Sequence, residues 1–471
     1  MTTPLLLHPD ALLPSNPVER DIARRLYTSV ANLPILSPHG HTDPKWFAEN
    51  KPFANPTELL IQPDHYVYRM LYSQGINLDE LGITRSGKME TLVDPEKVWQ
   101  IFADNYYLFY GTPSYFWLNY VFAKTFGLTV KLTSETAQHY YQVITDKLST
   151  PEFLPRALFE RYNIEVIATT ECPTNDLRYH QQIMDSGWQG NVITAFRPDA
   201  LIDAEHESFN QKINELSDIT GLDCHNYSDY LEALRMRRAY FKKMGATSTD
   251  HGHPTVATAN LSTQQAETLF NKLVSGDVTP ENAELFRAHM LMMMAEMSIE
   301  DGLVMQIHPG VHRNHNQKIF TDFGRDKGAD VPVQTEYIQA LKPLLDKFGN
   351  DSRLSIILFT LDETVYSREL APLAGHYPVL KLGPAWWFND SPEGMTRFRR
   401  ATTEVAGFYN TVGFNDDTRA FLSIPARHDM ARRMDCSYLA ELVARHQIEE
   451  GEAMVIAKDL TYNLAKRAYK L

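Results

Sequence analysis

The stretch Leu33-Pro34-Ile35-Leu36-Ser37-Pro38-His39-Gly40-His41-Thr42-Asp43 decides how the chain is read. An apolar run leads into a His-x-His pair and stops at small and polar residues. In an extended chain, residues i and i+2 project to the same face. With Ile35 to His41 at the end of a strand, both imidazoles point into one cavity, an arrangement that suits a divalent metal such as zinc. The pattern is weak by itself. The chain has seventeen histidines, and two unrelated surface residues would give the same letters. Its weight comes from the sequence around it.

Upstream, residues 10–32 read as a lead-in helix, with Asn16-Pro17 as the start signal and Ile22, Leu26 and Val30 at helical spacing. Downstream, residues 42–160 hold no convincing buried strand. Runs such as Tyr106-Tyr107-Leu108-Phe109-Tyr110 mark them as a mostly helical insertion after the first strand. After Pro155 short apolar, β-branched runs alternate with helical stretches. Glu165–Thr170, Asn191–Arg197, Ala246–Asp250, Gly302–His308, Leu354–Thr360, Val379–Gly383 and Thr411–Asn415 are expected as the second to eighth strands. Continuous apolar runs of this kind belong to parallel strands buried on both faces. Thr279-Pro280 starts a helix between them, and its Met290–Met297 cluster is read as core. Eight strand–helix units predict an α/β fold, a (β/α)8 TIM barrel formed as one domain over 1–471, with the helical insertion at 42–160. A doubly wound open sheet is the rival, but no G-x-G-x-x-G follows the first strand. Residues 425–471 read as amphipathic helices covering the barrel's outside or bottom.

The bulk properties narrow the function. Hydrophobic residues make up 43% and charged residues 22%, as in ordinary globular enzymes. A net charge of −14 argues against nucleic acid and anionic membranes as partners. An anionic small substrate would need a local group of Arg or Lys. Three scattered cysteines with no C-x-x-C fit a reducing cytoplasm and argue against a disulfide framework or a thiolate metal site. The N-terminal residues Met1 to Pro9 lack the basic region and apolar length of a signal peptide. No apolar segment approaches the ~18 residues of a membrane span. The oligomeric state is left open, and a homo-oligomer is compatible with everything here.

The chemistry-bearing residues follow strands rather than precede them. His39 and His41 follow the first and Arg197 the third. Asp250, His251 and His253 come with the fourth. His308 closes the fifth, with His312, Arg313 and His315 beyond it. Trp386-Trp387 follows the seventh, and Asp416, Asp417 and Arg419 the eighth. A His-His-carboxylate set binds a divalent cation and leaves positions open for water or substrate oxygens. An Asp after strand eight lies next to strand one in a closed ring, so Asp417 or Asp416 would share the metal with His39 and His41. Arg197 and Arg419 are forked donors suited to a carboxylate, though each would serve equally in a structural ion pair. Trp386-Trp387 reads either as packing or as a sugar platform. His251-Gly252-His253 is a second His-x-His, on a weaker strand that runs into a loop.

A His-x-His after strand one with an Asp after strand eight resembles the amidohydrolase superfamily. Over nearly its whole length the chain is similar to the uronate isomerase (glucuronate isomerase) family. The similarity is carried by His39-Gly40-His41, Asp64-His65-Tyr66, Arg197-Pro198-Asp199, Asp250-His251, Gln306-Ile307-His308, Arg313–Asn316, Trp386–Asp390, Asp417-Thr418-Arg419, Phe421–Ser423 and Arg427-His428. The resemblance implies interconversion of D-glucuronate with D-fructuronate and of D-galacturonate with D-tagaturonate, the uronate being a small-molecule partner. It implies one divalent metal, Zn2+, on His39, His41 and Asp417. It implies a catalytic group of Asp417, Tyr66, His65 and Arg419, and substrate contacts from Arg197, His308, Trp386 and Arg427. Hydrolytic relatives add two more histidines after strands five and six. Here strand six ends Phe359-Thr360-Leu361-Asp362, which suits a one-metal isomerase. An aldose–ketose isomerase needs a base and an acid near C1 and C2, and Asp417 and Tyr66 are the candidates. A metal-assisted hydride shift is the other route. The rival functions are a metal-dependent hydrolase of the same superfamily acting on a lactone, ester or amide, and a non-catalytic sugar-acid binder.

Overall fold

The computed structural model describes residues 3–88 and 93–471. Residues 1–2 of the N-terminal stretch and 89–92 of the expected insertion therefore lie outside the described residues. The fold is α/β, built on a seven-stranded parallel sheet. In order its strands are β1 (Ile35–Ser37), β2 (Ile164–Glu171), β3 (Asn191–Phe196), β4 (Ser248–His251), β5 (Val304–Ile307), β6 (Ile356–Leu358) and β7 (Leu380–Leu382). Each strand pairs with the next in chain order, so successive crossovers carry the chain steadily around one curled sheet.

The continuous apolar runs have the expected cause. Met305, Ile307, Ile356 and Leu358 pack outward with Phe241, Met290, Met294 and Leu344 of the surrounding helices. The alternate residues Val304 and Ile357 turn inward with Phe359, Val412 and Tyr469. With period-two side chains and both faces buried, most positions of β3, β5 and β6 are apolar. The methionine cluster of helix Pro280–Asp301 belongs to the outer core.

The eighth expected strand departs from the sequence reading. Among the described residues Thr411–Asn415 makes a single parallel bridge, Thr411 to Leu382, and no ladder. Gly413 explains this: its φ is +79°, and a Cβ there would lie 2.6 Å from the Leu460 carbonyl oxygen. The chain turns in the left-handed region where a strand would continue. It still returns to β1, because the His41 N–H donates to the Thr418 carbonyl at 3.0 Å.

Between β1 and β2 the described residues form helices and contribute no strand to the sheet. They share one aromatic-rich cluster, including Phe47, Trp99, Phe102, Phe122 and Tyr140, with the sheet residues Ile35, Ile164 and Val192. Asn16 caps the lead-in helix Pro17–Val30 by accepting from Val18 N–H. That helix buries Ile22, Leu26 and Val30 against Cys436, Leu439 and Leu460 of the C-terminal helices. Ala465 and Tyr469 of the last turns pack on inward-facing strand residues. Among the described residues, no helix is long and apolar enough to cross a membrane.

Candidate active site

The C-terminal ends of the strands open into a cavity of about 410 Å3 lined by groups from all around the sheet. That volume suits a small metabolite. His39, His41, His65, Tyr66, Arg197, His308, Trp386, Asp417 and Arg419 all line it.

The His-Gly-His segment is pinned from both sides. Thr170 Oγ1 at the end of β2 donates to the Gly40 carbonyl at 3.0 Å, and His41 N–H reaches Thr418. Asp417 meets the pair: its Oδ1 lies 3.4 Å from His39 Nε2 and 3.2 Å from His41 Nε2. The strand-end reading left Asp416 and Asp417 as alternatives, the resemblance implied Asp417, and the structure separates them. Asp416 Oδ2 faces His428 Nε2 at 3.0 Å, away from the histidines. Asp417 turns the other way through a backbone φ of +40°, a region that non-glycine residues seldom occupy and that clusters at functional positions. Asp417 Oδ1 is buried and has no hydrogen-bonding partner, which is the state of a ligand atom rather than of an ordinary ion pair. His39, His41 and Asp417 bring three donor atoms within 4.8 Å of one another, so the residues present fit a divalent cation. Burial alone would raise the Asp417 pKa, but the two imidazoles hold it well below the usual carboxylate range.

A second set of charges lies beside the first, with Asp250 Oδ1 4.0 Å from His39 Nδ1. Asp250, fully buried at the end of β4, takes His308 Nε2 at 2.6 Å and stands 3.4 Å from Arg197 Nη1. Arg197 Nε donates to Asp199 Oδ2 at 2.9 Å. Burial would weaken the Arg197 charge, but Asp199 and Asp250 more than offset it. Gly252 has a specific role here. A Cβ on it would fall 2.6 Å from Arg197 Nη2 and 2.7 Å from His308 Cε1, so only glycine lets these side chains lie on the backbone.

His65 and Tyr66 open the helix His65–Tyr72, which Asp64 caps by accepting from Tyr66 N–H at 2.8 Å. Their rings stack at 4.7 Å. Burial, reinforced by Arg419 and Arg69, drags the His65 pKa down to about 3, so the ring is neutral at physiological pH. Burial pushes the Tyr66 hydroxyl up, keeping it protonated. Trp386 is buried at the cavity wall, 5.1 Å from the His308 ring.

Arg427 departs from the expectation of a substrate contact. It is buried and absent from the cavity lining. Its Nη1 donates to Asp390 at 3.0 Å, its Nε to Ser423, and its guanidinium lies 3.7 Å from the Trp117 ring centre and 5.4 Å from that of Tyr66. It reaches the cavity only through Tyr66. His312 and His315 are exposed and also lie outside the lining, although Arg313 belongs to it.

Sequence reasoning missed Asp326. It sits at φ +59° in the loop Gly324–Gly328, 3.3 Å from Arg419 Nη2, with its carbonyl accepting from Tyr68 Oη. No strand or periodic signal precedes it. The only hint is a charged run between two glycines.

Comparison with known proteins agrees with this geometry. A profile of the glucuronate isomerase family matches residues 14–469. A uronate isomerase of Phenylobacterium zucineum (strain HLK1) is 62% identical over 472 residues, spanning 100% of this chain and 98% of the relative. The crystal structure of glucuronate isomerase from Caulobacter crescentus superimposes with a TM-score of 0.98 at 61% identity, covering 99% of this chain and 97% of that one. The uronate isomerase from Thermotoga maritima superimposes with a TM-score of 0.92 at 27% identity, covering 98% and 99%.

Proposed function

The chain belongs to the glucuronate isomerase family, and from that premise we propose that it interconverts D-glucuronate with D-fructuronate and D-galacturonate with D-tagaturonate. The observation that carries the reading is the meeting of His39, His41 and Asp417 in one cavity with Arg197 and Arg419. In a chain of net charge −14, these guanidinium groups supply the local positive charge that a sugar acid requires.

His39, His41 and Asp417 hold one divalent cation, Zn2+ by the donor set, which when bound polarises substrate oxygens and offsets charge developing on them. The chain's own residues divide the remaining work. Arg197 and Arg419 grip the carboxylate and neighbouring hydroxyls. Asp417 is ionised and Tyr66 protonated, the opposite states needed in a base–acid pair. Asp417 takes the C2 proton, exchanges it with solvent and delivers a proton to C1, while the Tyr66 hydroxyl gives a proton to O1 and recovers the one released from O2 of the cis-enediol. His65, neutral and stacked on Tyr66, fixes the phenol. His308 and Trp386 wall the substrate, and Arg427 positions Tyr66 from behind. The architecture is a single (β/α)8 barrel domain with the helices of 42–160 inserted after β1. The Thr411–Leu382 bridge and the His41–Thr418 bond support closure of the ring.

The test is incubation of metal-depleted and zinc-reloaded protein with D-glucuronate and D-galacturonate, with the ketoses quantified, beside a panel of lactones. Ketose formed only after reloading is the expected result. Acid released from a lactone with no ketose from either uronate would assign a hydrolase instead.

A further inference from the structure

The second His-x-His pair has no part in the chemistry above. His251 ends β4 and His253 follows Gly252; both are buried, with exposures of 0% and 3%. Neither ring lines the cavity, although Gly252 and Pro254 beside them do. His251 Nε2 is bonded to Thr249 Oγ1 at 2.9 Å, which leaves its Nδ1 buried without a partner. His253 has no hydrogen-bonding partner on either ring nitrogen. Buried nitrogens left unpaired are costly, so three within one short segment call for a ligand.

A carboxylate completes the set. Asp199 Oδ1 lies 3.8 Å from His253 Nε2; Oδ2 accepts from Arg197 Nε, and the Gly252 N–H lies 3.1 Å from both oxygens. Asp199, His251 and His253 bring donor atoms within 4.8 Å of one another. In a tetrahedral site with bonds of about 2.0–2.1 Å, donors sit roughly 3.3 Å apart, so small ring rotations close the gap. The Thr249 bond on the far nitrogen of His251 is the kind of support that metal-bound imidazoles usually have.

We propose that Asp199, His251 and His253 form a second divalent-metal site, distinct from His39–His41–Asp417. An ion there would hold Asp199 by Oδ1 and leave Oδ2 to orient Arg197. Its role is positional: it stiffens the arm that grips the substrate.

The experiment is a titration of chelator-stripped full-length protein with Co2+, following its visible d–d bands and the metal retained after gel filtration. Wild type is expected to take two equivalents, the His39→Ala/His41→Ala variant one, and His253→Ala one. Asp199→Asn, nearly isosteric and checked by circular dichroism, covers the case in which His253→Ala fails to fold, and should also retain one. Saturation of wild type at one equivalent, with none left in the His39/His41 variant, would overturn the proposal and point to buried water as the partner of these imidazoles. Two equivalents unaffected by both His253→Ala and Asp199→Asn would overturn it as well. A single equivalent lost in His253→Ala but kept in the His39/His41 variant would support this site and sink the first one.

Discussion

Replacing Arg197 by Met keeps the length of the side chain and removes its fork. The structure sets the size of the effect. Nε and Nη1 face Asp199 and Asp250 at 2.9 and 3.4 Å, and the group is only 24% exposed. The donors left over face the cavity. Two charge-assisted hydrogen bonds to a substrate carboxylate, at about 1.5–3 kcal/mol each, amount to roughly 3–6 kcal/mol, or about 10²- to 10⁴-fold in kcat/KM. The fold should survive. Asp250 keeps His308 at 2.6 Å and Asp199 keeps the Gly252 N–H at 3.1 Å, so the loss of stability should fall short of the ~3–5 kcal/mol of a buried carboxylate stranded outright. Steady-state kinetics on D-glucuronate, a thermal melt and metal content measure the three quantities. An Arg197→Lys variant, which keeps the charge but loses the fork, should recover little. A kcat/KM within about threefold of wild type, in a folded and metal-loaded Met variant, would refute the reasoning.

On the proposed reading, Asp326, 3.3 Å from Arg419 Nη2, competes with the substrate for that guanidinium. Asp326→Ala should lower KM for uronates by up to about fivefold, the worth of a half-exposed ion pair; an unchanged or raised KM would show that the loop helps binding. Arg427→Met strands Asp390 in the interior and should cost about 3–5 kcal/mol of stability, with kcat falling more than KM rises, whereas loss of stability with normal kcat would remove its hold on Tyr66. Burial lowers the pKa of His180 to about 4 and that of His65 to about 3, below the ~6.5 of an unfolded chain. The unfolded state then binds more protons below pH 6.5, so stability present above that pH is lost on acidification. At pH 4.5 the loss is roughly 2–3 kcal/mol per histidine, and denaturant midpoints at pH 7.5 and 4.5 should show it. Replacing His180 by Gln should remove its share of the slope, and an unaltered slope would contradict the assignment.

The parallel sheet was legible because its strands are buried on both faces, so Leu354–Thr360 and Val379–Gly383 stand out as apolar blocks. Boundaries were less legible. Apolar letters continue through Gly302–Leu303 and Phe359–Thr360, but only Val304–Ile307 and Ile356–Leu358 are laddered. The eighth strand reads like the others except for Gly413, whose conformation depends on the approach of Leu460 some fifty residues later. At the site, the pairing of His39 with His41 was legible from their i, i+2 spacing, and a carboxylate at 416 or 417 from ring closure. Asp417 rather than Asp416 was implied by the family resemblance, while the positive φ that turns it toward the histidines is encoded in no letter. Arg427 misled because a buried guanidinium and a substrate clamp look alike in sequence; its stacking on Trp117 is a contact across about three hundred residues. Asp326 was missed because loops carry no period.

The claim at the centre is that a proton, not only a sugar acid, is handled in this cavity. Proton NMR of D-glucuronate incubated in D2O with zinc-loaded protein tests it most directly. The expected result is the appearance of fructuronate resonances with solvent deuterium at C1 of the ketose and C2 of the aldose. Ketose formed with no deuterium incorporated would contradict open proton transfer in favour of a hydride shift, and no ketose at all would contradict the isomerase itself.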